Sequence, residues 1–330
     1  MPPADGAQAA RLGDLRAATD AERRVEKVKG LSTDPSQPTF RDPAHAAYYS
    51  AMNSGPPRLF DRSAILRARV RSLRAGGDAF LAREAAQGIS ERLAAVNRHF
   101  RSGLLLEGRA VPDDGADHWT QLTLGNDDAL IAEPASFDLV VSVLALHTVN
   151  DLPGVLAQAR RALRPDGLFL AALFCGDTLF ELRDSFIAAE AATSGGISPR
   201  VAPFADMRDL GTLLQRAGFA LPVADVERTT VLYKDIRSLV RDLRIHGETN
   251  ALVERSRKPL SRAMLATLIA HYAAHHAAPD GRLRATFDIV YLTGWAPHES
   301  QQKPLRPGSA QMRLAEALGT EERPAGDKAG

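Results

Sequence analysis

The sequence predicts an α/β fold built on a doubly wound, largely parallel sheet. Three observations predict it. Residues 137–146 (FDLVVSVLAL) crowd Leu and Val without Gly or Pro. A strand buried on both faces reads this way, because covering helices leave it no polar side. Residues 152–163 then repeat apolar side chains at helical spacing, and residues 167–174 form a second apolar run after the turn Arg164-Pro165-Asp166-Gly167. Strand, helix and strand in this order make a βαβ unit. Ligands in such sheets sit beyond the carboxyl ends of the strands, which directs attention to residues 142–150 and 174–178.

Before this unit, residues 60–99 read as helical. Asp61 or Ser63 is placed to cap, and Ile65, Val70, Leu73, Phe80, Leu81, Ile89, Leu93 and Val96 recur at helical spacing. Short apolar runs at 104–106 and 119–124 are strand-like. After the unit, helices are expected at 179–192 and at 205–217, the latter ending at Gly218. A strand follows at 225–233, amphipathic helices at 236–244 and 262–275, and a last strand at 286–293.

Residues 1–57 are rich in Ala, Pro, Asp and Arg and poor in large apolar side chains, too poor to offset ordering entropy. They are expected to be a disordered extension. Met52 reads as a natural start, which would make the preceding residues an upstream addition. A single domain is expected over 58–318, with a cap from about 205 and a polar tail at 319–330.

With 41 Lys+Arg against 40 Asp+Glu the net charge is +1, so nothing pulls the whole chain toward nucleic acid. One cysteine, Cys175, excludes an internal disulfide framework and Cys-rich zinc sites. A reducing, cytoplasmic setting is expected. No apolar run nears the roughly 20 residues of a membrane span, which leaves peripheral association as the only membrane contact expected.

The segment FDLVVSVLALHTVNDLPGVLAQARRALRPDGLFLAALF resembles the second half of class I S-adenosylmethionine-dependent methyltransferases. More narrowly it resembles the branch containing complex I assembly factor 5 and the malonyl-carrier-protein methyltransferase of biotin synthesis. CGDTLFELRDSF at 175–186, SPRVAPFADMRDLGTLLQRAGF at 198–219, DLRIHGETN at 242–250 and GWAPHESQQKPLRPGSA at 294–310 are similar to the assembly-factor group. The resemblance implies a Rossmann-like, doubly wound seven-stranded sheet with a helical C-terminal cap, the cofactor S-adenosyl-L-methionine, and a protein or carrier substrate. It also implies a link to respiratory complex I assembly, and some members hydroxylate a protein arginine instead of methylating.

The first half departs from that pattern. The family carries a glycine-rich turn after strand 1, where backbone approaches the cofactor. Here residues 104–106 lead into Glu107-Gly108-Arg109-Ala110-Val111-Pro112, with one glycine. Only 33 residues separate Leu104 from Phe137, whereas two helices and two strands need about 34 before any loop. An abbreviated first half is expected, most simply without its first helix, second strand and ribose-binding acid.

The resemblance puts Glu107 and Gly108 at the reduced cofactor turn, and Asn126 at the position of the family's adenine-contacting acid with Asp127 beside it. Ser142, Leu144 and His147 fall at the pocket mouth. An amide at Asn126 offers both donor and acceptor to an adenine edge. His147 and Asp177 are the candidates for a catalytic role. A histidine at such a place more often packs and hydrogen-bonds than catalyses, and Asp177 or Thr178 equally suits a helix N-cap. His271 and His275 have i, i+4 spacing with His276 adjacent, but no third ligand is evident, so a solvated helix end and no metal is expected. Lys303 and Arg306 are candidates for docking an acidic partner. Two functions follow: an enzyme acting on a protein or carrier, or a non-catalytic assembly scaffold that keeps its partner face at 175–183 and 294–309.

Overall fold

The computed structural model describes residues 58–112, 115–302 and Gly319. The extension at 1–57, with its alternative start at Met52, and Lys303 and Arg306 lie outside the described residues. Helices α1 (Arg62–Ala75) and α2 (Phe80–Ala94) precede strands β1 (Ser102–Leu106) and β2 (His118–Leu122). Asp61 caps α1 by accepting from the Ala64 amide at 3.0 Å. The expected βαβ unit follows as β3 (Phe137–Val143), α3 (Leu152–Ala162) and β4 (Leu163–Cys175). Asp151 caps α3 through the Gly154 amide at 2.9 Å. The remainder is α4 (Phe180–Thr193), α5 (Met207–Arg216), β5 (Ala220–Tyr233), α6 (Ile236–Ile245), α7 (Arg262–His276) and β6 (Leu283–Trp295).

One six-stranded sheet has the order β2-β1-β3-β4-β6-β5. The first four strands pair parallel, and β6 and β5 pair antiparallel at the other side. Among the described residues the sheet therefore has one strand fewer than the resemblance implied. Residues 107–112 and 115–117, which connect β1 to β2, contain no helix. The strand before the Gly125 turn lies directly against β1. The shortening inferred from the 33-residue interval is thus located.

Alternation along the strands builds two apolar layers, since successive side chains point to opposite faces. Leu139, Val141 and Val143 of β3, and Leu168, Leu170, Ala172 and Phe174 of β4, meet α2, α4, α6 and α7. Val140, Phe169, Ala171 and Leu173 face α3 and α5. Helices on both faces explain why 139–143 and 168–174 read as continuous apolar runs. The cap region from about 205 contributes more than helices, because β5 and β6 complete the sheet.

The Arg164-Pro165-Asp166-Gly167 turn is instead an irregularity inside β4. Leu163 pairs with Phe137, and the ladder resumes at Leu139 with Leu168. Asp166, at φ 62°, takes up the extra length. Its amide donates to the Ala296 carbonyl at 3.1 Å. Among the described residues no helix is long and apolar enough to cross a membrane.

Candidate functional site

The carboxyl ends of β1, β3 and β4 point the same way, as their parallel registers require. Glu107 follows β1 directly and sits in the left-handed region at φ 53°. Its side chain is fully buried and forms the centre of a polar cluster. Its carboxylate accepts from Arg62 and Arg69 of α1 and from the Leu124 amide at 2.7 Å. Arg62 also donates to the Leu124 carbonyl at 3.1 Å. A buried carboxylate survives only when paired and hydrogen-bonded, and α1 supplies both partners. Gly108 is required by close approach: a Cβ there would fall within 2.8 Å of Leu105 Cδ2.

A second network adjoins the first. Arg109 reaches Glu248 at 2.9 Å and donates to the His246 carbonyl. His147 Nε2 lies 3.2 Å from the other oxygen of Glu248, with its ring 5.0 Å from that of Phe174. Burial alone would raise the Glu248 carboxyl, but Arg109 and then His147 prevail and bring it down to about 2. Burial pushes Arg69 well below its usual value, and the neighbouring Arg109 and Arg62 charges push it the same way. The Leu81 amide donates to His246 Nε2 at 3.1 Å, and His246 Nδ1 lies 2.7 Å from the Asp242 carbonyl. These partners assign His246 as the neutral Nδ1–H tautomer.

Three arginines thus meet two glutamates. Several polar atoms in this region are buried without a hydrogen-bond partner: Nε and Nη1 of Arg62, Nε and Nη2 of Arg69, Nε of Arg109, Oγ of Ser142, Nδ1 of His147 and the acceptor Oε1 of Glu248. Such atoms are uncommon in native interiors. Most of them are donors, so the cluster is suited to an anionic or oxygen-rich group.

The Gly125 turn is ordered mainly by Asp128. This residue is buried at φ 59° and accepts from the amides of Asn150 at 2.6 Å and Asp151 at 3.0 Å. Asn150 in turn clasps the Phe60 backbone, accepting at 2.8 Å and donating at 3.2 Å. Beside this turn lies a cavity of about 300 Å³ lined by Arg58, Phe60, Asp61, Arg62, Ser63, Asn126, Asn150, Val253 and Arg257. Asn126 and Asp127 are exposed, and Asp127 accepts from the Ala129 amide two residues on, at 3.3 Å.

Of the expected site residues, Glu107, Ser142 and His147 lie at or beside the strand ends, His147 joined to Arg109 through Glu248, and Asn126 borders the open volume. Leu144 is buried at φ 45°, and its amide donates to the Ala172 carbonyl at 2.8 Å. It supports the mouth by backbone geometry. Asp177 lies in a different network, paired with Arg228 at 2.8 Å. Neither it nor Thr178 caps α4, whose N-cap position is Leu179. The Thr178 hydroxyl instead lies within hydrogen-bonding distance of the Cys175 and Asp288 carbonyls, at 2.8 and 3.1 Å. Sequence reasoning missed Arg62, Arg69, Asp128 and Glu248. The available signal was a helix as basic as RSAILRARVRSLRA just before the sheet.

The sequence profile of a methyltransferase domain matches residues 75–169. The chain is 45% identical over 188 residues to the arginine-hydroxylase NDUFAF5, mitochondrial, of Dictyostelium discoideum, covering 57% of this chain and 43% of that protein. It is 42% identical over 197 residues to the Homo sapiens protein of the same name, covering 60% and 57%. It is 40% identical over 181 residues to the malonyl-[acyl-carrier protein] O-methyltransferase of Xylella fastidiosa (strain M23), covering 54% and 59%. The chain spans about half the length of these relatives. Residues 75–169 thus match a methyltransferase domain, and the chain is related in sequence to NDUFAF5 and to malonyl-[acyl-carrier protein] O-methyltransferase over more than half its length.

Proposed function

We propose that the chain binds S-adenosylmethionine at the ends of β1, β2 and β3 and acts on a protein substrate, as a factor in respiratory complex I assembly. The relatives' names supply an arginine or a malonyl-carrier protein as the group acted on, and the sequence resemblance supplies the protein substrate and the assembly role. The single cysteine supports a reducing, cytoplasmic setting.

The observation that carries the reading is Arg62, which lines the cavity at Asn126 and keeps two buried donors, Nε and Nη1, without a partner. The residues around this cavity fit two parts of the cofactor. The Asn126 amide suits an adenine edge, and the Phe60 ring lines the same cavity. Arg62 and Arg69 would receive the cofactor's carboxylate, for which a guanidinium fork is the natural partner. Ser142 and His147 retain polar atoms for the rest. The fit is reduced in one respect: both oxygens of Glu107 are held by Arg62 and Arg69, so Arg62 must exchange partners as the ligand enters. When bound, the group supplies an electrophilic sulfonium methyl. The protein's own task is orientation and exclusion of water, and the cleft is covered by α1 through those arginines. His147, held by Glu248, would position the reacting groups.

Calorimetric titration with S-adenosylmethionine and S-adenosylhomocysteine tests this. Binding at one site is expected, with Asn126→Ala weakening it about tenfold, the loss of one hydrogen bond's worth of affinity. Absence of heat and of thermal shift at millimolar ligand overturns the enzymatic reading and leaves the assembly scaffold.

A further inference from the structure

The histidines near the end of α7 have a partner that spacing along the chain could not reveal. α4 packs against α7 and brings Asp184 to them. His276 Nε2 lies 2.8 Å from Asp184 Oδ2. His271 Nδ1 lies 3.3 Å from the hydroxyl of Ser185, the next residue of α4. One ligand atom from each of Asp184, His271 and His276 falls within 4.8 Å of the others. His275 adds a third imidazole, its ring centroid 4.3 Å from that of His271. The two ligand histidines are part-buried, and Asp184 opens to solvent.

We propose that Asp184, His271 and His276 bind a divalent transition-metal ion of the zinc or nickel class. Two imidazole nitrogens and a carboxylate oxygen suit these borderline metals, whereas magnesium and calcium require mostly oxygen. Metal–ligand bonds of about 2.0–2.2 Å put neighbouring tetrahedral ligands about 3.3 Å apart. The trio must therefore close by up to about 1.5 Å. Side-chain rotation provides this: His276 and Asp184 are already in contact, and His271 is hydrogen-bonded only to the Ser185 hydroxyl at 3.3 Å among the described residues. Asp184 faces solvent, which leaves an entry path and room for water in the remaining positions.

The ion would staple α4 to α7. Because α4 begins at Phe180, soon after β4 ends at Cys175, the staple fixes the helix that follows the carboxyl end of β4. The existing His276–Asp184 pair explains part of the cluster without a metal. It does not explain why two imidazoles of one helix and a carboxylate of another converge.

The test is calorimetric titration of the chelator-treated full chain with zinc chloride or nickel chloride, alongside thermal melting. One ion per chain is expected, with melting raised by about 5 °C or more once free metal is 100-fold above Kd. His271→Ala/His276→Ala should lose at least 100-fold in affinity. Asp184→Asn, at an exposed side chain, should lose tenfold or more and serves if the double variant fails to fold. His99→Ala, at a separate His99–Asp117 pair, should bind as the parent does. No binding by the parent chain, or unchanged binding by the Asp184 and histidine variants, overturns the site.

Discussion

Replacing Glu107 by Gln probes the cluster on which the site is built. The Glu107 side chain is 0% exposed and its partners Arg62 and Arg69 are 7% and 16% exposed. Gln keeps an oxygen for the Leu124 amide and one guanidinium. Its other end becomes an NH2 facing the second guanidinium, a donor against a donor. Charge-assisted bonds are worth about 1.5–3 kcal/mol each and neutral ones about 0.5–1.5, so one bond is weakened and another lost outright. Two buried guanidiniums also lose their counter-charge, and breaking a buried pair typically costs about 3–5 kcal/mol. Glu107→Gln should therefore lower the unfolding free energy by about 3–4 kcal/mol. Urea denaturation at neutral pH, with unchanged m-value, measures it. Adding Arg69→Met should recover at least about 1 kcal/mol relative to additivity, because the unpaired charge is then gone. A loss under about 1 kcal/mol with strict additivity would refute the reasoning.

Three further outcomes are expected. The Glu248 carboxyl is held at about 2 against an ordinary 4.5. Its contribution, on the order of 3 kcal/mol, is present above pH 4.5 and lost as pH falls toward 2. Urea midpoints across that window should fall less steeply in Glu248→Gln than in the parent. Gly88→Ala should cost about 1–3 kcal/mol by overpacking, because the new Cβ would stand 2.5 Å from Tyr291 Cζ; thermal melting measures it, and a stabilised variant would count against the packing. Burial, aided by Asp288 and Asp206, pushes the Cys175 thiol up to about 12, so at pH 8 the native protein should react with a disulfide reagent only as fast as it unfolds. Rapid labelling of the folded chain would contradict that placement.

The parts of the fold set by local pattern were legible. Residues 137–174 declare their strand, helix and strand because both faces of β3 and β4 are covered, which removes polar residues from the sequence. The deletion before β3 was legible as a length. Strand extent was not: residues 225–233 and 286–293 were expected, but the ladder between them runs from Ala220 with Trp295 to Tyr233 with Leu283. Antiparallel pairing with a partner far along the chain sets those ends, and the alternating pattern of β5 continues past its apolar centre. The site divides the same way. Glu107, Ser142 and His147 follow from strand ends, whereas their partners Arg62 and Glu248 lie 45 and 101 residues away. Asp184 escaped notice for the same reason, since it meets His276 across 92 residues.

A crystal structure of the chain grown with S-adenosylhomocysteine tests the central claim most directly. The account predicts the nucleoside beside Phe60 and Asn126, in the cavity near the ends of β2 and β3, with its carboxylate on Arg62 or Arg69 and Glu107 released from one of them. Ligand bound elsewhere, or Arg62 and Arg69 both still closed on Glu107 with that cavity empty at saturating ligand, would contradict it.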